Sequence, residues 1–296
     1  MIMKLEGSMN KHFLGKAGLI IVTVIWGSSF ALNDVALKVF TPVQLLTLRF
    51  GIAGILMLVV FWKQVKKIEK EELFRGVILG VILFIAYILQ TIALLYTTPS
   101  KNAFLTAFSV VLVPIISFIF LKSKVERKDI LGACLSLAGV ALMSLTDLTM
   151  INLGDLLTLA CAIFFALYII YTTKYVKGGN PYSLTTIQLL TAFILSGVTG
   201  LFLNETWDFT STVANGSILY LAIFCTLIAY LLQTMSQRYT TSSETAVILS
   251  MESLFGMIFS MIIVNEHITT KTALGACLIF LGVIVVEVIP SKRKKI

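Results

Sequence analysis

An internal repeat is the strongest constraint on this chain. The run Ile85-Ala86-Tyr87-Ile88-Leu89-Gln90-Thr91, continuing to Tyr96-Thr97-Thr98, returns as Ile228-Ala229-Tyr230-Leu231-Leu232-Gln233-Thr234, continuing to Tyr239-Thr240-Thr241. The offset is 143 residues, and nine of the fourteen positions are identical. With no gap, Leu131-Gly132-Ala133-Cys134-Leu135 returns as Leu274-Gly275-Ala276-Cys277-Leu278, and Gly139-Val140 as Gly282-Val283. A weaker register at 139 residues relates Pro42, Leu45 and Thr47 to Pro181, Leu184 and Thr186, and Gly15 and Lys38 to Gly154 and Lys177. The change of offset places a four-residue insertion in a longer loop of the second half, which includes Asn204 to Asn215. Such self-similarity marks a duplicated structural unit.

Composition decides the solvent. The chain is 58% hydrophobic and 13% charged, with a mean hydropathy of +0.97. A water-soluble chain of 296 residues cannot hide that much apolar surface. A bilayer core roughly 30 Å thick takes about 20 apolar residues per helix. Ten runs fit: 17–37, 41–62, 73–95, 101–121, 128–146, 153–175, 181–203, 216–236, 244–264 and 271–289. Turn and helix-start residues mark the joints at Thr41-Pro42, Thr98-Pro99-Ser100, Gly178-Gly179-Asn180-Pro181 and Asn215-Gly216. The runs are apolar on every face, which argues against a β-barrel, and they leave no room for a soluble domain. The repeat unit is therefore five helices, over 15–146 and 153–289, between an N-terminal segment 1–14 and a basic tail 290–296. Five is odd, so the second copy must lie inverted in the bilayer, a plan common among alternating-access transporters. The expected fold is an all-α membrane protein with ten transmembrane helices in two inverted five-helix repeats.

A net charge of +8 invites a nucleic-acid reading, which the distribution rejects. With the amino terminus inside, 19 of the 23 Lys and Arg residues fall in cytoplasmic segments. Only Lys38, Lys101 and Lys271 fall outside, and Arg49 lies within a helix. That asymmetry predicts two cytoplasmic termini and an even number of spans. The tail Lys292-Arg293-Lys294-Lys295 then reads as an anchor on anionic lipid. The setting expected is a bacterial inner membrane. Cys134, Cys161, Cys225 and Cys277 all fall inside spans, so no disulfide framework is expected, and Cys134 and Cys277 should pack as small residues. The first span is too long for a signal-peptide core, and residues 1–8 read as peripheral, with Met9 a candidate start.

Short motifs add a resemblance. Trp26-Gly27-Ser28-Ser29-Phe30 in the first span, Arg49-Phe50 in the second, and Glu266 followed by Leu274-Gly275 and Gly282-Val283 resemble the signature of EamA-type members of the drug/metabolite transporter superfamily. The resemblance covers essentially the whole chain and implies a five-plus-five architecture. It also implies transport of small metabolites, often amino acids, without ATP. One departure is Ser123, where the family pattern carries an acidic residue whose counterpart here is Glu266.

Polar side chains inside a bilayer are costly and mark candidate sites. Arg49 and Glu252 each cost roughly 2.5–3.5 kcal/mol at a helix centre, so each should pair or face water. If both face a central cavity, Glu252 can hold a cationic group or a coupling proton and Arg49 a carboxylate; otherwise they cap or link helices. Tyr87 and Gln90 recur as Tyr230 and Gln233, each pair on one helix face. After inversion the pairs can meet near the midplane, where such transporters bind substrate, or they can simply reflect duplication. Trp26, Asn33 and Tyr168 are lesser substrate-binding candidates. Trp62 and Trp207, at span ends, read as interfacial anchors. Gly132, Gly139, Gly275 and Gly282 predict a close packing seam, between the two repeats or between subunits of a homo-oligomer. Pro114 should kink the fourth span, with Gly256 and Met257 its counterpart in the ninth, as two hinges.

Enzymatic chemistry finds no support. There is no His-Glu-x-x-His run, Cys-x-x-Cys pair or phosphate-binding glycine loop, and His12 and His267 lie far apart near span ends. No cofactor or metal is expected, and the short connections offer no channel filter. The expected partners are a small-molecule substrate, a coupling proton and the lipid bilayer, with no nucleic acid. Among transporters, an exporter of amino-acid-like metabolites leads, and an exporter of lipophilic cationic drugs or a lipid-like substrate is the alternative.

Overall fold

A computed structural model describes residues 2–122, 125–144, 152–203, 206–267 and 269–289, and these residues contain helices and no strand. In chain order the helices are α1 (Ile2–Leu37), α2 (Pro42–Val60), α3 (Trp62–Val65), α4 (Lys70–Ala93), α5 (Pro99–Thr106), α6 (Ser109–Leu121) and α7 (Arg127–Ser144). The second half holds α8 (Leu153–Val176), α9 (Pro181–Leu203), α10 (Thr212–Ala222), a π turn (Ile223–Ile228), α11 (Ala229–Gln237), α12 (Ser242–Leu249), α13 (Glu252–Ile263) and α14 (Thr270–Val288). Among the described residues, eight helical stretches are long and apolar enough to cross a membrane, including Pro99–Ile119, Thr212–Gln237 and Ser242–Ile263, which join consecutive segments.

Helix starts follow local chemistry. Thr41 Oγ1 accepts from the Gln44 amide at 3.2 Å, while Gln44 Oε1 accepts from the Thr41 amide at 3.1 Å, with Pro42 between them. This reciprocal box satisfies two amides that a helix start otherwise leaves bare. Asn152 with Asp155 opens α8 in the same way, and Thr241 with Glu244 opens α12.

Polarity is distributed inside out. Phe202, Leu201, Val59 and Phe118 stand 82%, 78%, 69% and 64% exposed, whereas Thr23, Gln188, Gln233, Thr234 and Ser253 are fully buried. Water would penalise such an exterior, whereas lipid accepts it.

Close packing depends on small residues. α7 and α14 run antiparallel, so that Gly132 faces Gly282 and Gly139 faces Gly275. A Cβ on Gly139 would stand 2.5 Å from the Gly275 carbonyl oxygen, and one on Gly282 would stand 2.7 Å from that of Gly132. The glycine seam thus joins the two halves of one chain. Cys134 and Cys277 do not share it: both are exposed, because two residues beyond a seam glycine the helix has turned outward. α2 and α9 are also antiparallel, with Gly54 against Leu190 and Gly200 against Val43.

Proline does not set the helix breaks. Pro114 lies inside α6, and the interruption comes earlier, at Ala107-Phe108, between α5 and α6. Its counterpart is Ser250-Met251, between α12 and α13, rather than Gly256 and Met257. Around both breaks the backbone tightens to i→i+3 bonds, such as Val110 N to Ala107 O at 3.0 Å and Met251 N to Ile248 O at 3.1 Å. The second break contains no proline, so the duplicated geometry arises from packing. Mid-helix tightening of this type often marks a hinge.

Candidate functional site

Between the two halves lies a cavity of about 30 Å³, room for a water or two. Its wall is built from eight residues of the first half and the same eight positions of the second. At the 139-residue offset, Trp26, Ser29 and Phe30 on α1 are matched by Phe165, Tyr168 and Ile169 on α8. At 143 residues, Tyr87 and Gln90 on α4 are matched by Tyr230 and Gln233 on α11. At the helix breaks, Thr106, Ala107 and Ser109 are matched by Leu249, Ser250 and Glu252.

Contacts inside the cavity follow the same pairing. Trp26 packs on Tyr230 with ring centroids 5.0 Å apart, and Phe165 packs on Tyr87 at 5.5 Å. The two tyrosines meet in the middle, where the Tyr230 hydroxyl donates to the Tyr87 hydroxyl at 2.9 Å. Tyr168 turns its ring edge to Tyr230 at 5.7 Å and donates its hydroxyl to Gln188 Oε1 at 3.0 Å.

Of the sequence candidates, Trp26, Tyr87, Gln90, Tyr168, Tyr230, Gln233 and Glu252 line this cavity. Arg49 does not line it: of the two roles open to it, facing a cavity or linking helices, it takes the second. Its guanidinium lies fully buried behind Tyr87, 4.6 Å from that ring's centre. Nε donates to Thr226 Oγ1 at 2.5 Å, and Nη2 donates to the Tyr87 hydroxyl at 3.1 Å and to the Cys225 carbonyl at 3.3 Å. Thr226 and Cys225 belong to the π turn, whose widened backbone lets side chains reach its carbonyls. The Cys225 carbonyl also accepts from Trp26 Nε1 at 2.9 Å. Arg49 is therefore spent on fixing the turn and on holding Tyr87. Asn33 is buried on α1, two turns beyond Trp26, outside the cavity wall.

Chemically the two halves differ. Gln90 Nε2 donates to Thr106 Oγ1 at 3.0 Å. Gln233 finds no protein partner for either amide atom, because Thr106 is replaced by Leu249 in the second half. Glu252 is half-buried at the start of α13 and takes part in no hydrogen bond or ion pair among the described residues. The wall contains one carboxylate and no basic side chain.

Both ends are tied by ion pairs at equivalent positions with their charges exchanged. Lys101 Nζ reaches Asp155 Oδ2 at 2.7 Å, joining α5 to α8. At the repeat-related positions Glu244 and Lys16 join α12 to α1 at 4.0 Å, with His12 at 3.6 Å and Lys128 at 3.9 Å on the same carboxylate. Glu266 accepts from the Thr98 and Ser100 hydroxyls, each at 2.8 Å, and so braces the start of α5. Ser123, its counterpart, lies outside the described residues.

Ser29, Phe30, Phe165, Ile169, Thr106, Ala107, Ser109, Leu249 and Ser250 also line the cavity, and none stands out in the sequence on its own. The two repeat offsets, applied to Trp26, Tyr168 and Glu252, lead directly to Phe165, Ser29 and Ser109. Trp62 and Trp207, the expected anchors, are 55% and 47% exposed.

Membrane-length apolar helices with a lipid-compatible exterior, closed around an internal cavity lined by rings and a few polar groups, define a multi-pass membrane protein. The model of the EamA-like transporter family matches residues 13–145 and again 152–288, and the chain belongs to that family. A relative from Archaeoglobus fulgidus, named an uncharacterized transporter, is 35% identical over 277 residues, covering 94% of this chain and 87% of its own. The Bacillus subtilis uncharacterized transporter YyaM is 26% identical, covering 88% of this chain and 90% of its own. A solved crystal structure superposes with a TM-score of 0.76 at 16% identity, over 95% of this chain and 97% of the other, which shows a common fold. Family and relatives alike point to a transporter rather than an enzyme.

Proposed function

We propose that this protein is a ten-helix secondary transporter of two inverted five-helix repeats, exporting amino acids or related small metabolites across the cell membrane by alternating access. α7 and α14 complete the ten spans, and both termini lie in the cytoplasm. The observation that carries the reading is the cavity wall, in which eight positions of one half face the same eight of the other. The antiparallel packing of the repeat-related pairs α2 with α9 and α7 with α14 supports inversion. Metabolite pockets usually run to about 300–1,000 Å³, so a cavity of about 30 Å³ must widen to accept one. The ion pairs at the two ends are suited to alternate, one opening while the other holds. The helix breaks at Ala107-Phe108 and Ser250-Met251 supply the hinges.

Glu252 is the group best placed to meet an ammonium or carry a coupling proton. A lone carboxylate among rings equally favours a second reading, export of a lipophilic cation. Flux in proteoliposomes, measured for amino acids, nucleobases and organic cations with and without a pH gradient, separates the two. Amino-acid flux abolished by Glu252→Gln is the expected result. Flux confined to lipophilic cations selects the second reading, and product formation without vectorial movement rejects both.

A further inference from the structure

We infer that substrate recognition is one-sided: Gln233 and Glu252 form the polar half-site, Leu249 keeps it open, and the ligand it takes is an amine. This rests on the cavity being the substrate site. The argument starts from a comparison the molecule makes with itself. Gln90 and Gln233 occupy equivalent positions, and both line the cavity. The first is engaged by Thr106, whose hydroxyl accepts one of its amide hydrogens at 3.0 Å. The second is fully buried, and neither its oxygen nor its nitrogen has a partner in the protein. An unpaired buried amide is expensive, at about 1–3 kcal/mol, so an unmet one aimed into a cavity reads as a ligand contact held in reserve.

The asymmetry extends to the next pair. Ser109 on the first half corresponds to Glu252 on the second, and the Glu252 carboxylate is likewise unpaired. The unmet amide and the unpaired carboxylate thus fall on one side. A carboxylate accepts only, and Gln233 offers one acceptor beside two donors. With no basic side chain in the wall, an ammonium is the group this pair suits, and the Gln233 N–H can serve a neighbouring oxygen if the ligand has one. The surrounding rings of Trp26, Phe30 and Tyr168 suit an apolar remainder. Leu249 is the specificity-determining position, since a hydroxyl there would occupy Gln233 as Thr106 occupies Gln90.

The test uses the full-length protein in lipid nanodiscs, reading ligand-induced thermal stabilisation, with no flux required. The probes are L-leucine, 3-methylbutylamine and 4-methylpentanoate, together with L-phenylalanine, phenethylamine and 3-phenylpropanoate. The three members of each set share an apolar part and differ in carrying amine, acid or both. The amine-bearing probes should stabilise the protein and the two pure acids should not. Leu249→Thr should weaken amine binding by tenfold or more, and by a larger factor than Leu249→Val, which matches the threonine in shape without its hydroxyl. Gln233→Leu should lower amine affinity by tenfold or more, and by a larger factor than Gln90→Leu. Equal affinities for Leu249→Thr and Leu249→Val overturn the inference, as do acids that bind as well as amines or amines that fail to bind. Amine binding with this mutational pattern but no vectorial flux leaves the half-site standing and removes the transport reading instead.

Discussion

Tyr230 donates a 2.9 Å hydrogen bond to Tyr87, and these two residues are each other's counterpart in the duplicated sequence. A residue can touch its own repeat image only where the two halves meet. The hydroxyl of Tyr87 accepts from Tyr230 and from Arg49, which leaves its own hydrogen free to donate. The contact therefore sits between the buried guanidinium on one side and the cavity on the other.

Arg49 is expected to act on the fold. Arg49→Met should remove one donor each from Thr226 Oγ1, the Cys225 carbonyl and the Tyr87 hydroxyl, at about 1–3 kcal/mol for each charge-assisted bond lost, although each group keeps another partner. Arg49→Lys should recover little, since one ammonium cannot replace a planar fork with two donors on separate elements. Thermal unfolding in detergent checks both, and a stability equal to the parent's would contradict the role.

The seam of α7 and α14 should tolerate no added carbon. Gly139→Val places atoms against the Gly275 carbonyl and Ile279, and strain of about 1–3 kcal/mol or more should lower the yield of folded protein. Gly216→Ala serves as the contrast, because a Cβ there meets nothing within 4 Å. Ala in that helix should leave stability unchanged or raise it by about 0.5–1 kcal/mol.

The ion pair Lys101–Asp155 should act as a latch on one side only. Lys101→Met leaves the Asp155 carboxylate buried without its cation, a cost of about 1–3 kcal/mol after allowing for the partial exposure of the lysine. In a background with Cys134 and Cys277 replaced by Ser, labelling of Cys161 by a small thiol reagent should rise several-fold. Cys161 lies on α8 beside Thr106, so it reports opening at the α5–α8 contact. Glu244→Gln, which loosens the opposite end, should leave that labelling unchanged. Lys101→Arg, which keeps a cation facing Asp155, should retain the parent behaviour.

Several of these features were legible in the sequence because residue identity survived duplication. Tyr87 and Gln90 betray themselves by returning as Tyr230 and Gln233, and Thr41-Pro42 announces a helix start by its chemistry. The breaks at Ala107-Phe108 and Ser250-Met251 carry no comparable sign. Pro114 drew attention away from them, since a proline is visible in sequence and a packing-induced break is not. Arg49 looked like a cavity charge because nothing in its neighbourhood shows that Thr226, 177 residues away, will receive it. The π turn is equally silent. The unmet amide of Gln233 emerges only when Leu249 is known to stand where Thr106 stands in the other half.

Sidedness of labelling at one repeat-related pair tests the inverted architecture most directly. Tyr96 and Tyr239 are equivalent, exposed by 51% and 41%, and lie at the ends of their helices. In a cysteine-free background, Tyr96→Cys should react with a membrane-impermeant maleimide in intact cells, and Tyr239→Cys only after the cells are opened. Reaction of both from the same side of the membrane would contradict two halves of opposite orientation meeting at a shared cavity.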